Sequence, residues 1–165
     1  MGSQLADFWL WLEMSNLAMA VGSTWWFPLL HSLHVLSACL MLGFLLMVDL
    51  RLIGVAGVSL SISQLARDLL PWAASMFVLA LLSGVLMFIT RAANHVDNAA
   101  FQWKMLLLLL AGVNMLIYHG RLNRWPAARQ QGRPPSRGVR LAGALSLLLW
   151  VGVMLAGRWI GHVFG

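Results

Sequence analysis

The sequence predicts an all-α protein: a bundle of four transmembrane helices preceded by an amphipathic helix lying in the membrane interface, in one domain, residues 1–165. Three observations predict it. Apolar residues make up 61% of the chain and charged ones only 10%, far from soluble composition. Four apolar runs each reach the roughly 20 residues that cross about 30 Å of hydrocarbon. Between them, charge, proline and tryptophan collect at the run ends, where a bilayer meets water.

Residues 4–16, QLADFWLWLEMSN, place Leu5, Phe8, Trp9 and Leu12 on one helical face. Asp7, Glu13 and Asn16 argue against a span, so this helix is read as interfacial, anchored by Trp9 and Trp11. The first span, 27–48, opens at Phe27-Pro28, proline suiting a first helical turn, and stops at Asp49-Leu50-Arg51. Asp49 and Arg51 end that helix and are expected to pair with one another or with Arg67 and Asp68. A polar connection runs to residue 70, with Ser59, Ser61 and Ser63 interrupting its apolar residues. The second span, 71–90, opens at Pro71-Trp72; RAANHVDNAA follows as the most polar short stretch. The third, 101–119, begins FQWKMLLLLL, where Lys104 can snorkel to the interface, and ends at Tyr118-His119. Asn114, midway along it, is expected to hydrogen-bond across helices. The fourth, 139–161, carries the pairs Gly152/Ala156 and Gly157/Gly161, spaced for close helix packing inside the bundle.

Charge sets the expected sidedness. Arg51, Arg67, Arg121, Arg124, Arg129, Arg133, Arg137 and Arg140 fall on one side; Arg91, Lys104 and Arg158 fall on the other. The richer side is cytoplasmic by the positive-inside rule, so both termini lie outside, in a multi-pass protein of a bacterial inner membrane. The net charge of +6 is therefore a loop property, and nucleic acid is excluded as a partner. The bilayer is the expected partner; a membrane or periplasmic protein and a second copy are further candidates. The single cysteine, Cys39, sits mid-span and permits no intrachain disulfide. Ahead of the first apolar stretch there is no Lys or Arg, so no cleavable signal peptide is expected. Ala6 stands where a myristoylation motif needs Ser or Thr.

That topology sorts the histidines. His31 and His34, one turn apart, lie in the outer part of the first span; His95 lies in the outer connection and His162 after the fourth span. His119 stands alone at the inner end. Imidazole ligates zinc, copper and iron, so His31, His34, His95 and His162 form a candidate metal set. The bland reading is that histidine is common at interfaces, and for His31, His95 and His162 taken singly it is preferred. His34 is deeper by roughly 4.5 Å and is expected to face the bundle. The sharper alternative is b-type haem, for which two ligands at matching depth are wanted. No histidine matches His34 in depth, leaving Met154, or Met87, as a partner, with Arg158 as an anion or propionate partner. No Ser-His-Asp arrangement, CxxC, HExxH or phosphate loop is present, so no recognised catalytic motif supports an enzymatic role and the reading leans away from one without deciding it. Four short spans without an inverted repeat also give small-solute transport little support.

The segments WLE, FPLLHSLHVL, VDLRLIG, LLPWAASMFVLALLSGVLMF, NAAFQWKMLLLLLAGVNMLIYH and AGRWIG resemble a family of small bacterial four-helix membrane proteins catalogued only as a domain of unknown function. The resemblance covers nearly the whole chain and implies the same topology without supplying an activity. It also implies a carboxylate at His31 and tyrosine near His95 in other members, leaving His34 and His119 as the shared histidines. More distantly the bundle is similar, at the level of fold, to copper-resistance membrane subunits and cytochrome b-type bundles. The expectation is thus a membrane protein with a histidine cluster for a transition metal or haem, in redox or metal handling. The alternative is a non-catalytic assembly subunit with no cofactor.

Overall fold

A computed structural model of the chain describes residues 2–57, 59–122 and 135–162. Among the described residues there are helices and no strand: α1 (Gly2–Glu13), α2 (Asn16–Gly22), α3 (Trp26–Ile53), α4 (Ile62–Ile89), α5 (Ala92–Val96), α6 (Ala99–Leu122) and α7 (Arg137–Trp159). Four of them, α3, α4, α6 as far as Tyr118, and α7, are long and apolar enough to cross a membrane. The all-α class and the four spanning helices are as the sequence predicts. The arginine-rich loop, including Arg124, Arg129 and Arg133, lies outside the described residues, as do the side chains of His119 and Arg121.

The spanning helices pack in the order α4, α3, α7, α6, with α3 and α7 central. Their shared core joins Met41 and Leu45 of α3, Ala73 of α4, Ala111 of α6 and Leu149, Trp150 and Val153 of α7. Phe77 of α4 meets the Trp150 ring edge to face, with centroids 6.2 Å apart. Such an aromatic contact gains from ring quadrupoles as well as area. Asn114 donates from Nδ2 to the Ala142 carbonyl of α7 at 3.3 Å, the expected interhelical bond. Of the glycines read as packing positions, Gly152 lies against Leu107 and Gly157 against Lys104, both on α6, whereas Gly161 faces open space. A tighter approach than at either of these is at Gly143: a Cβ there would lie 2.8 Å from Leu52 Cβ and 3.1 Å from the Asp49 carbonyl oxygen.

Helix α4 starts nine residues before the expected proline, and Pro71 lies inside it. Ser61 caps its start by accepting from the Gln64 N–H, and Ile62, Leu65 and Leu69 pack against Val48 and Leu52 of α3. Tertiary burial of this extra segment outweighs the one helix hydrogen bond that a proline removes. The α3–α4 connection is correspondingly short. Gly54, at φ +87°, ends α3 in a Schellman turn, with Val55 N–H bonded to Leu50 O at 3.0 Å.

At the opposite end the polar stretch after α4 is a folded corner. Asn98 Oδ1 accepts from the N–H groups of Ala100 and Phe101, capping α6, while its Nδ2 donates to Ile160 O at the end of α7. Glu13 of α1 accepts from the Ala93 N–H, and Trp9 meets Phe88 edge to face, so α1 is tied onto this corner. Leu5 and Phe8 of the expected apolar stripe remain exposed.

Candidate functional site

Polar groups are buried at both ends of the bundle. At the end bearing the corner, His34 of α3 leans onto α4, its Nδ1 2.7 Å from the Ala80 carbonyl oxygen and 3.3 Å from Ser83 Oγ. A carbonyl only accepts, so Nδ1 carries the hydrogen and, in the neutral ring, the lone pair resides on Nε2. Gly84 makes this pose possible: a Cβ there would stand 3.0 Å from the imidazole Cε1. Ser83 satisfies itself by donating back to Leu79 O at 2.7 Å, and Ser37, one turn along α3 from His34, donates to Leu33 O. The result is a seam of small residues with one imidazole, fixed in tautomer by a backbone bond, as ligating histidines are.

Lys104 of α6 is half-buried, with its Nζ 3.6 Å from where a Cβ of Gly157 would be. It and His31 are the charged or titratable groups within electrostatic reach of His34. Snorkelling alone does not describe it, because its stem and ammonium lie along α7.

The structure treats the remaining sequence candidates differently. His31 is exposed on α3. His95, on α5, bonds through Nδ1 to the Arg91 carbonyl at 2.7 Å and packs edgewise on Phe88 and Phe101. Arg158 and His162 are exposed at the end of α7, and Met154 and Met87 are half-buried. Among the described residues, no three His, Cys, Asp or Glu side chains gather as a metal ion would need.

At the far end of α3 lies a cluster that sequence reasoning took for a simple helix stop. Arg51 is 1% exposed and Asp49 4% exposed. Asp49 accepts from Ser146 of α7, and Arg51 Nε donates to Leu60 O at 2.9 Å; neither makes the expected ion pair. Arg67 and Asp68 are exposed. The reason is the turn after Gly54: Gly57, at φ +65°, folds back so that a Cβ there would be 3.6 Å from Arg51 Cδ, wrapping the guanidinium in its own connecting loop. Tyr118 of α6 lies within electrostatic reach of both Asp49 and Arg51.

With this architecture in hand, a family model described as a family of unknown function, DUF6644, matches residues 8–163. The chain belongs to that family. No curated protein and no solved structure matches it. For this DUF6644 protein, then, the residues of the two buried clusters are the available guide to chemistry. The signal for the first was present in sequence as Ser83-Gly84 opposite His34. For the second it was Asp49 and Arg51 close to the end of an apolar run, which reads equally as a helix terminus.

Proposed function

We propose that this protein is a membrane subunit that binds one b-type haem through His34 Nε2 and serves one-electron redox chemistry in a bacterial inner membrane. The observation that carries this reading is the 2.7 Å bond from Nδ1 to the Ala80 carbonyl, which holds the ring in the ligating tautomer beside a glycine. Haem is favoured over a bare transition metal by charge and by donor number. A divalent ion would want further donors and would be repelled by Lys104, whereas haem needs one or two protein ligands and brings carboxylates. Lys104 and Arg158 would be the propionate partners in this reading, and Met154 would be the second protein ligand. Haem, when bound, supplies the electron-transfer chemistry; the chain's residues orient it and offset its charge.

Detergent-purified protein from haem-replete cells is expected to show a Soret band that His34→Ala abolishes and Met154→Leu shifts or broadens. A colourless protein that also takes up no added haemin overturns the proposal. The second reading, a cofactor-free assembly subunit, is favoured by one observation: His34 already has a structural role in closing the α3–α4 seam. It predicts that His34→Ala lowers stability with no change in any visible spectrum.

Sidedness is tested separately. With Cys39 replaced by alanine, a cysteine introduced as Gln130→Cys is expected to react with a membrane-impermeant maleimide only after the inner face is opened. Labelling in intact spheroplasts reverses the orientation.

A further inference from the structure

Four buried polar atoms at the Arg51 end have no hydrogen-bond partner among the described residues: Asp49 Oδ2, Arg51 Nη1 and Nη2, and the Tyr118 hydroxyl. Leaving such groups unmet inside a membrane helix bundle is costly, most of all for charged ones, and native structures retain them chiefly where something else completes the bonds. The unmet atoms specify their complement. Arg51 requires an acceptor, Asp49 requires a donor, and the Tyr118 hydroxyl can be either. Arg51 and Asp49 cancel in formal charge, so a carboxylate or phosphate would bring an unbalanced negative charge beside Asp49, whereas an uncharged group would not. A hydroxyl on an aromatic or enolic head satisfies both demands at once.

The surroundings indicate the rest of the molecule. The cluster is walled by Val48, Leu52, Ile62 and Val139, in a chain built to sit in lipid. On the same two helices as Tyr118 and Ser146 runs an apolar groove of about 200 Å³, lined by Leu110, Val113, Ile117, Leu145 and Leu149, with Asn114 at its middle. Ile117 adjoins Tyr118 and Leu145 adjoins Ser146 in sequence, so along α6 and α7 the groove reaches the level of the polar cluster.

We propose that this end of the bundle binds a lipid-soluble quinol, its hydroxyl donating to Asp49 and accepting from Arg51 and Tyr118, its isoprenoid tail lying along the α6–α7 groove. The site is distinct from His34, and binding there does not require haem.

The test uses the full chain in nanodiscs, with a benzoquinol bearing a ten-carbon tail, kept reduced under anaerobic conditions, and the corresponding quinone. Saturable binding of one quinol per chain above empty nanodiscs is expected. The quinone, which has no hydrogen to give Asp49, should bind about tenfold or more weakly. Asp49→Asn, whose amide can donate to a quinone carbonyl, should bring that ratio close to one. Tyr118→Phe should weaken both forms, and it and Ser146→Ala keep the test decisive if Asp49→Asn does not fold. Absence of saturable binding, equal affinity of the two forms for the unaltered chain, or indifference to Tyr118→Phe overturns the proposal. So does displacement of the quinol by phosphatidic acid in the nanodisc bilayer, which would assign the cluster to a phosphate. Loss of the Soret band in His34→Ala with quinol binding intact separates this site from the haem.

Discussion

Replacing Gly143 by leucine is expected to destabilise the bundle by about 3 kcal/mol, the upper part of the range for overpacking a filled core. The reason is geometric. A single added Cβ already falls 2.8 Å from Leu52 Cβ and 3.1 Å from the Asp49 carbonyl oxygen, neither of which is the free end of a flexible side chain. The helices α3 and α7 must therefore separate, and the Asp49–Ser146 bond, three residues along α7, separates with them. Gly143→Ala should show a smaller loss of the same sign, because alanine recovers about 1 kcal/mol of helix propensity against the clash. Gly138→Leu, on the same helix with nothing within 4 Å, should be close to neutral. Thermal unfolding in detergent, followed by size-exclusion chromatography or by circular dichroism, ranks the three. A melting temperature for Gly143→Leu equal to that of Gly138→Leu would mean that α3 and α7 do not approach as described.

Trp150→Ala carries the second large effect. Trp150 is 7% exposed among Met41, Leu45, Ala73 and Ala111, and it meets Phe77 ring to ring. In soluble proteins, truncating a buried tryptophan costs about 3–5 kcal/mol. In a bilayer the unfolded helices already sit in hydrocarbon, so the transfer term largely vanishes and the loss is of packing contacts alone. The expected cost is thus toward the lower end, about 3 kcal/mol. Because the residue joins α7 to both α3 and α4, steric trapping or denaturant titration in mixed micelles should register it as global destabilisation. Trp159→Ala, 60% exposed, should change little. Equal effects of the two would place Trp150 on the lipid face.

How much was legible in sequence follows the physics of the solvent. Hydrocarbon demands about 20 apolar residues per crossing and closes every backbone hydrogen bond within the helix, so length and composition suffice to specify four helices. Asn114 was legible for the same reason, since a lone amide at mid-depth must find a partner. Arg51 was not. A charge near the end of an apolar run reads as a helix stop whether it meets water or turns inward. Its burial depends on a return loop set by Gly54 and Gly57 and on the approach of α7 at Gly143. The start of α4 was missed likewise, because Pro71 and the serines argue locally for a boundary that the contacts of Ile62, Leu65 and Leu69 with α3 override.

The amino-acid sequence alone determined that this chain is helical and that it has four segments long and apolar enough to span a membrane, since each is a property of composition or of spacing along one helix. Which side chains meet across helices was decided only by the tertiary structure. There His34 is turned onto Ala80, His95 packs on phenylalanines, and Asp49 and Arg51 are enclosed without each other. Contacts between helices depend on how closely backbones approach, and that distance is set by glycines whose significance shows only once the opposing helix is in place.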